Sequence, residues 1–146
     1  VLSAAGRTDL FVARVDSAAR FRWVSTAGGA GSDEGHAVAA GPGGRISVTG
    51  VFGGSLKLAG VTLELQGGTW DRDLLVAGLD SGGKFLWAAR GGGTTEDLPG
   101  QVGLDDHGCT LVGGSFRGGG VFARWSMSST AGAQDALIWK LGRAGP

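Results

Sequence analysis

The chain has 146 residues, enough for an ordinary domain with a core, and 31 of them are glycine while only 3 are proline. Its 13 basic and 13 acidic residues cancel, so no basic footprint points to nucleic acid as a partner. Glycine follows no Gly-X-Y period, which excludes collagen, and no apolar run is long enough for a membrane-spanning helix. No signal peptide is visible. The first residue is Val1, so the sequence reads as a processed product or an excerpt of a longer chain. Cys109 is the only cysteine, which excludes an internal disulfide; its place in a predicted strand suits a small buried hydrophobe.

In chain order, Leu10–Val15 alternates with period two and predicts a strand, with Leu10 and Val12 on one face and Phe11, Ala13 and Val15 on the other. After a turn at Asp16–Arg20, Phe21–Ser25 is a second strand carrying Phe21 and Trp23 on one face. A glycine-rich loop leads to His36–Ala40, a short strand of small residues. Gly41-Pro42-Gly43-Gly44 is a tight turn, because proline presets one φ and glycine allows positive φ. Ile46–Phe52 is the next strand. The long connection Gly53–Arg72 contains Leu-Lys-Leu, Ala-Gly and Val-Thr-Leu, the pattern of an extra hairpin turning at Ala59-Gly60.

The cycle then repeats. Sliding the sequence by 64 positions lays Asp9–Phe52 on Asp73–Phe116 without a gap, matching Asp9, Asp16, Trp23, Asp33 and Phe52 with Asp73, Asp80, Trp87, Asp97 and Phe116. Strands are predicted at Leu74–Leu79, Phe85–Ala89, Gln101–Leu104 and Thr110–Phe116, the last pair turning at Asp106-His107-Gly108. A second connection, Arg117–Gln134, differs in sequence from the first. A third copy starts at Asp135, with a strand at Leu137–Leu141. The glycine runs Gly91–Gly93 and Gly118–Gly120 read as turns. No segment has helical periodicity.

The expectation is an all-β chain. A repeat of four short antiparallel strands suggests a β-propeller blade, and residues 1–146 hold about two blades' worth in copies 9–72, 73–134 and a partial 135–146. The small residues Ala37, Ala39, Ala40 and Gly103 suit an innermost strand, and Trp23 and Trp87 suit an outer strand that covers the joint between sheets. On this reading the chain supplies two outer strands of one blade, four of a second and three of a third. About two blades do not close a ring, so the expected partners are further blades, from the same parent chain or from identical copies. Open strand edges need such covering.

The runs DLFVARVDSAARFRW and DLLVAGLDSGGKFLW, each followed by Gly-Gly and then by a Val-turn-Gly-strand ending in Gly-Val-Phe or Gly-Ser-Phe, resemble the bacterial seven-bladed β-propeller repeat family (SBBP repeats). The resemblance covers nearly the whole chain. It implies a propeller fold and a bacterial secreted or cell-surface protein, and it supplies no catalytic residues. The chain departs from that family in lacking tyrosine, and in having Trp139 where the earlier copies have Ala13 and Ala77.

Residues recurring in every copy serve the repeat, so the candidates for chemistry are the unrepeated ones. His36 and His107, the only histidines, lie in spacings that match no metal motif and are expected toward opposite ends of the strands. No nucleophile elbow or phosphate loop is present, and the acidic loops around Asp33 and Asp97 lack the ligand pattern of a calcium site. No cofactor is expected. The face formed by the long connections and the loops entering the small-residue strands would gather His36, Trp70, Arg117, Arg124 and Trp125, together with Asp33, Glu34, Glu96 and Asp97. A flat ring beside charges suits a glycan or a peptide. The expected function is a non-catalytic structural or interaction module; the alternative is a lectin-like or peptide-binding propeller using those five residues. A hydrolase would require His36 within hydrogen-bond reach of a carboxylate or nucleophile.

Overall fold

The structure is a computed structural model that describes residues 2–68, 71–95, 97–130 and 133–146. The described residues form thirteen strands and one single-turn 3-10 segment at Pro42–Gly44. The strands are β1 (Leu10–Val15), β2 (Phe21–Ala27), β3 (Glu34–Ala40), β4 (Ile46–Phe52), β5 (Leu56–Leu58), β6 (Val61–Leu63), β7 (Asp73–Leu79), β8 (Phe85–Gly93), β9 (Leu98–Leu104), β10 (Thr110–Arg117), β11 (Gly119–Phe122), β12 (Trp125–Ser128) and β13 (Gln134–Leu141). Every strand pairing is antiparallel. The chain is therefore all-β, as its period-two patterning dictates.

Three sheets carry the fold. The first is β1-β2, the second is β3-β4-β7-β8, continued by β11 and β12 beyond β8, and the third is β9-β10-β13. The predicted hairpin β5-β6 stands as a separate ribbon. It turns at Ala59 (φ 52°) and Gly60 (φ 81°), the doubly positive pair of a two-residue turn whose twist matches that of the flanking strands. The hairpins β1-β2, β7-β8 and β9-β10 turn by one shared device. Oδ1 of Asp16, Asp80 and Asp105 accepts the backbone N–H groups two and four residues on, at 2.8–3.0 Å.

Two expectations are corrected. Phe21 and Trp23 do not share a face, because the register shifts at the end of the β1-β2 ladder, so Trp23 reaches the second sheet while Phe21 stays exposed on the other side. Gly91–Gly93 and Gly119–Gly120 are strand residues, not turns. Gly91, Gly92 and Gly93 pair with Phe122, Val121 and Gly120, and a Cβ at Gly93 would overlap the carbonyl oxygen of Gly119. The absence of side chains lets the second connection fold back onto the outermost strand of the preceding sheet. Only Gly118, at φ 70°, makes the turn.

The sheets stack face to face through two cores. The first joins Leu10, Val12 and Ala27 of the first sheet to Phe52, Leu75, Ala77 and Leu79 of the second, with Leu56, Leu58 and Leu63 of the β5-β6 ribbon closing one end. The second joins Leu74, Val76, Trp87 and Ala89 to Val112, Phe116, Leu137, Trp139 and Leu141 of the third sheet, with Phe122 between them. Strand β7 lies between the two cores and is buried along its whole length. The second and third sheets approach most closely along β3 and β9. Ala37, Ala39, Gly100 and Gly103 add little bulk on these strands, and the buried hydroxyls of Ser47 and Thr110 meet at 2.6 Å. Away from that edge the space is filled by Trp87, Trp139 and Phe122, with Phe122 edge-on to Phe116 and Trp139 at centroid distances of 5.5 and 6.0 Å. Large rings bury much apolar area where the sheets stand apart.

The repeated tryptophans tie neighbouring sheets together. Trp23 Nε1 donates to the Ser81 carbonyl at 2.9 Å and Ser25 Oγ donates to that of Gly83 at 2.6 Å. In the equivalent place, Gly145 lies against the Trp87 ring.

A charged cavity at the ends of the first and second sheets

A cavity of about 540 Å³ opens where the first sheet meets the start of β3. Its position is set by backbone ties. The segment before β1 runs beside the loop before β3, with Arg7 N–H donating to Gly31 O and Asp33 N–H to Thr8 O, both at 2.9 Å. Asp33 is buried, and its carboxylate accepts the N–H of Gly29 at 2.7 Å and that of Gly53 at 3.3 Å. One side chain thereby fixes both the loop that enters β3 and the start of the connection that leaves β4. A Cβ at Gly31 would overlap the Gly53 carbonyl oxygen, so only glycine permits this approach.

Arg7, Glu34, Asp71 and Arg72 bring charge to the cavity, and Ala30, Gly31, Ser32, Gly53, Gly54 and Leu65 are its other lining residues among those described. Arg72 Nη1 donates to Glu34 Oε1 at 3.0 Å. Both side chains are partly exposed, and an ion pair of that kind contributes only about 0–1 kcal/mol, so an incoming ligand can divide it at low cost. Asp71 Oδ1 accepts the Arg72 N–H at 3.0 Å, while its buried Oδ2 has no hydrogen-bond partner among the described residues. A buried polar atom without a partner is costly, and this oxygen is packed against Gly67. The cavity thus offers cationic and anionic groups within one wall.

His36, Arg117, Arg124 and Trp125, singled out from the sequence, lie outside this cavity. His36 is an exposed residue of β3 on the flank of Glu34, with Nε2 4.0 Å from Glu34 Oε2, beyond hydrogen-bond reach. Arg117 ends β10 and is exposed; its carbonyl accepts from Thr95 Oγ1. Arg124 and Trp125 come together where β12 begins, the guanidinium carbon 5.6 Å from the ring centroid, and Trp125 is 64% exposed. None of these four lines the charged cavity. Trp70 and Glu96 lie outside the described residues. His107 sits in the β9-β10 turn, where a second cavity of about 150 Å³ lies between Pro42, Arg45, His107 and Arg143. Cys109 is half-buried, not fully buried, because it stands at the edge of that turn.

Arg7, Asp71 and Arg72 escape a reading of the sequence that looks for histidines and aromatic rings. Their signal is loss of the repeat. Glu34 stands where the next copy has Leu98, Arg72 where it has Gln134, and Arg7 where it has Asp71.

The recurring aspartates serve the backbone. Asp9 accepts the Ala5 N–H at 2.6 Å, Asp73 that of Gln66 at 3.0 Å and Asp135 that of Thr130 at 3.0 Å, each holding the segment that leads into its strand. Asp73 and Asp97 are fully buried on either side of Gly92, each with an oxygen 2.6 Å from where a Cβ on that glycine would lie. Arg90 pairs with Asp73 at 2.9 Å. Burial pushes the Asp97 carboxyl up to about 6, against the Gly93 N–H that favours its charged form, and the Asp73 charge raises it further. Asp33 and Asp73 are raised as well, chiefly by burial. Among the described residues, no group of three histidine, cysteine or acidic side chains is placed to hold a metal ion.

No protein-family model matches this chain, and no curated protein matches it. The described residues contain no helix long and apolar enough to cross a membrane.

Proposed function

We propose that this chain is a segment of a β-propeller acting as a non-catalytic structural and interaction module of a bacterial secreted or cell-surface protein. The observation that carries this reading is the grading of side-chain size between the second and third sheets. Small residues line the strands where the second and third sheets meet closely, and tryptophans fill the space where they stand apart. Sheets related by a wedge radiate from an axis, and sheets of a propeller do the same. The resemblance of the repeat to bacterial propeller repeats supports the setting. Negative-stain electron microscopy of the assembled particles tests it. Rings with a central channel are expected, and linear stacks of flat sandwiches would overturn it.

A second reading has its own observation. The charged cavity is built from unrepeated groups, Arg7, Glu34, Asp71 and Arg72, which the repeat does not need. A lectin-like or peptide-binding role would be exercised there, with a ligand supplying an anion or hydroxyl to Arg72. Screening glycan and peptide arrays with the wild type and Arg72→Ala checks it. A hit lost in the variant supports the site, and hits unaffected by Arg72→Ala move binding elsewhere.

A further inference from the structure

The 64-residue repeat turns the interior of this molecule into a template for its two outer faces. Leu75 and Leu79 of β7 face the first core and are 0% and 1% exposed. Their counterparts one copy earlier, Phe11 and Val15, point to the same side of the first sheet and are 63% and 48% exposed. Phe21, the counterpart of the half-buried Phe85, is 72% exposed. On the opposite side of the molecule, Val76 faces the second core at 0% exposure, and its counterpart Ile138 on β13 is 85% exposed. The pattern is one-directional. The face of the second sheet that receives the first sheet is the face the first sheet leaves open. The face of the second sheet that receives the third is the face the third leaves open.

We infer that the open face of the first sheet, centred on Phe11 and Phe21, docks onto the open face of the third sheet, centred on Ile138, in a second copy of this chain. The occupant follows from continuity with the internal interfaces, since both halves of the contact already exist inside each molecule with the same repeat positions facing one another. Exposed aromatic and aliphatic side chains gathered on one face of a sheet also favour burial by association. The contact is heterologous, each copy using one face as donor and the other as acceptor, so it propagates until a ring closes. This deepens the module reading and rests on it, naming the surface and the partner.

Light scattering after size-exclusion chromatography tests the inference over a concentration series of the wild type, Phe11→Lys and Ile138→Lys. Both substitutions are at exposed positions, and unchanged circular dichroism and melting temperature verify folding. Each variant alone is expected to remain monomeric, its self-association weakened at least about tenfold. An equimolar mixture is expected to form a dimer and stop there, because only one intact donor face meets one intact acceptor face. Dimers of Ile138→Lys alone would mean that the Phe11 faces meet each other, and would overturn the head-to-tail contact. A wild type that associates with neither variant altering its mass would also overturn the docking surface while leaving the module reading standing on another interface. A folded wild-type monomer at every concentration would overturn the docking of a second copy and leave blades of the same parent chain as the module's partners.

Discussion

Buried aspartates hold the loops of this molecule, and they give it a pH signature. Asp97 titrates near 6 when folded, chiefly because it is buried, against an ordinary value of 3.8. A carboxyl raised on folding contributes stability that is fully present below the unfolded value and lost as the pH rises through the folded one. The melting temperature is therefore expected to rise between about pH 7.5 and about pH 5, by the equivalent of roughly 1–3 kcal/mol, and Asp97→Asn should flatten that rise in calorimetry. A flat or falling wild-type profile would contradict the assignment. The opposite sign applies to Asp105, which its hydrogen bond from Lys140 holds down at about 2; its contribution is lost as the pH falls from the ordinary range through about 2. Gly31 makes a second prediction at this scale. Because a Cβ there overlaps the Gly53 carbonyl oxygen, Gly31→Ala is expected to reach or exceed the ~1–3 kcal/mol typical of overpacking, read from denaturant midpoints. Gly43→Ala has open space but a φ of 68° and should cost less, about 1–2 kcal/mol.

Among the elements, the two long connections perform one task with different sequences. Each forms a hairpin, β5-β6 or β11-β12, that reaches the glycine-rich tail of the outermost strand one sheet earlier. Ser55 meets Gly29 in the first case, and Gly119–Phe122 pairs with Gly91–Gly93 in the second. The first hairpin was legible in Ala59-Gly60 and its flanking alternation. The second was not, because Ala123-Arg124 carries no glycine signal, although Ala123 adopts φ 53°. Ala59 sits in the left-handed region at the first position of a turn that favours Asn-Gly. Ala59→Asn should therefore stabilise the chain by about 0.5–1 kcal/mol, measured by chemical denaturation; a destabilised variant would contradict the turn geometry.

For the molecule as a whole, the stack of sheets sets a gradient of protection. Strand β7 is buried on both faces and hydrogen-bonded on both sides by β4 and β8. Its amides are expected to exchange last with deuterated solvent. The free-edge amides of β3 and those of β1 should exchange earlier, since β3 is a sheet edge with Val38 62% exposed and β1 presents Phe11 to solvent. If the head-to-tail contact forms, β1 gains protection with concentration while β3 does not, which separates association from intrinsic stability in one experiment.

The repeat and its period-two alternation were enough to determine the class of fold, the strands other than β11 and β12 near their final bounds, and the turn aspartates. Those properties depend on residues close together in sequence, and the two copies repeat the same local chemistry. The recurring aspartates could also be read as backbone supports, since Asp9, Asp73 and Asp135 precede a strand in each copy. Only the tertiary structure decided that Gly91–Gly93 pairs as a strand, because the partner that makes it one, Gly120–Phe122, arrives from a later connection. It alone assembled Arg7, Glu34, Asp71 and Arg72 around one cavity, from segments far apart in the chain and brought together by Asp33 and Gly31. It alone distinguished Phe11 from Leu75. The two occupy the same repeat position, and exposure separates them because burial depends on which sheet lies opposite.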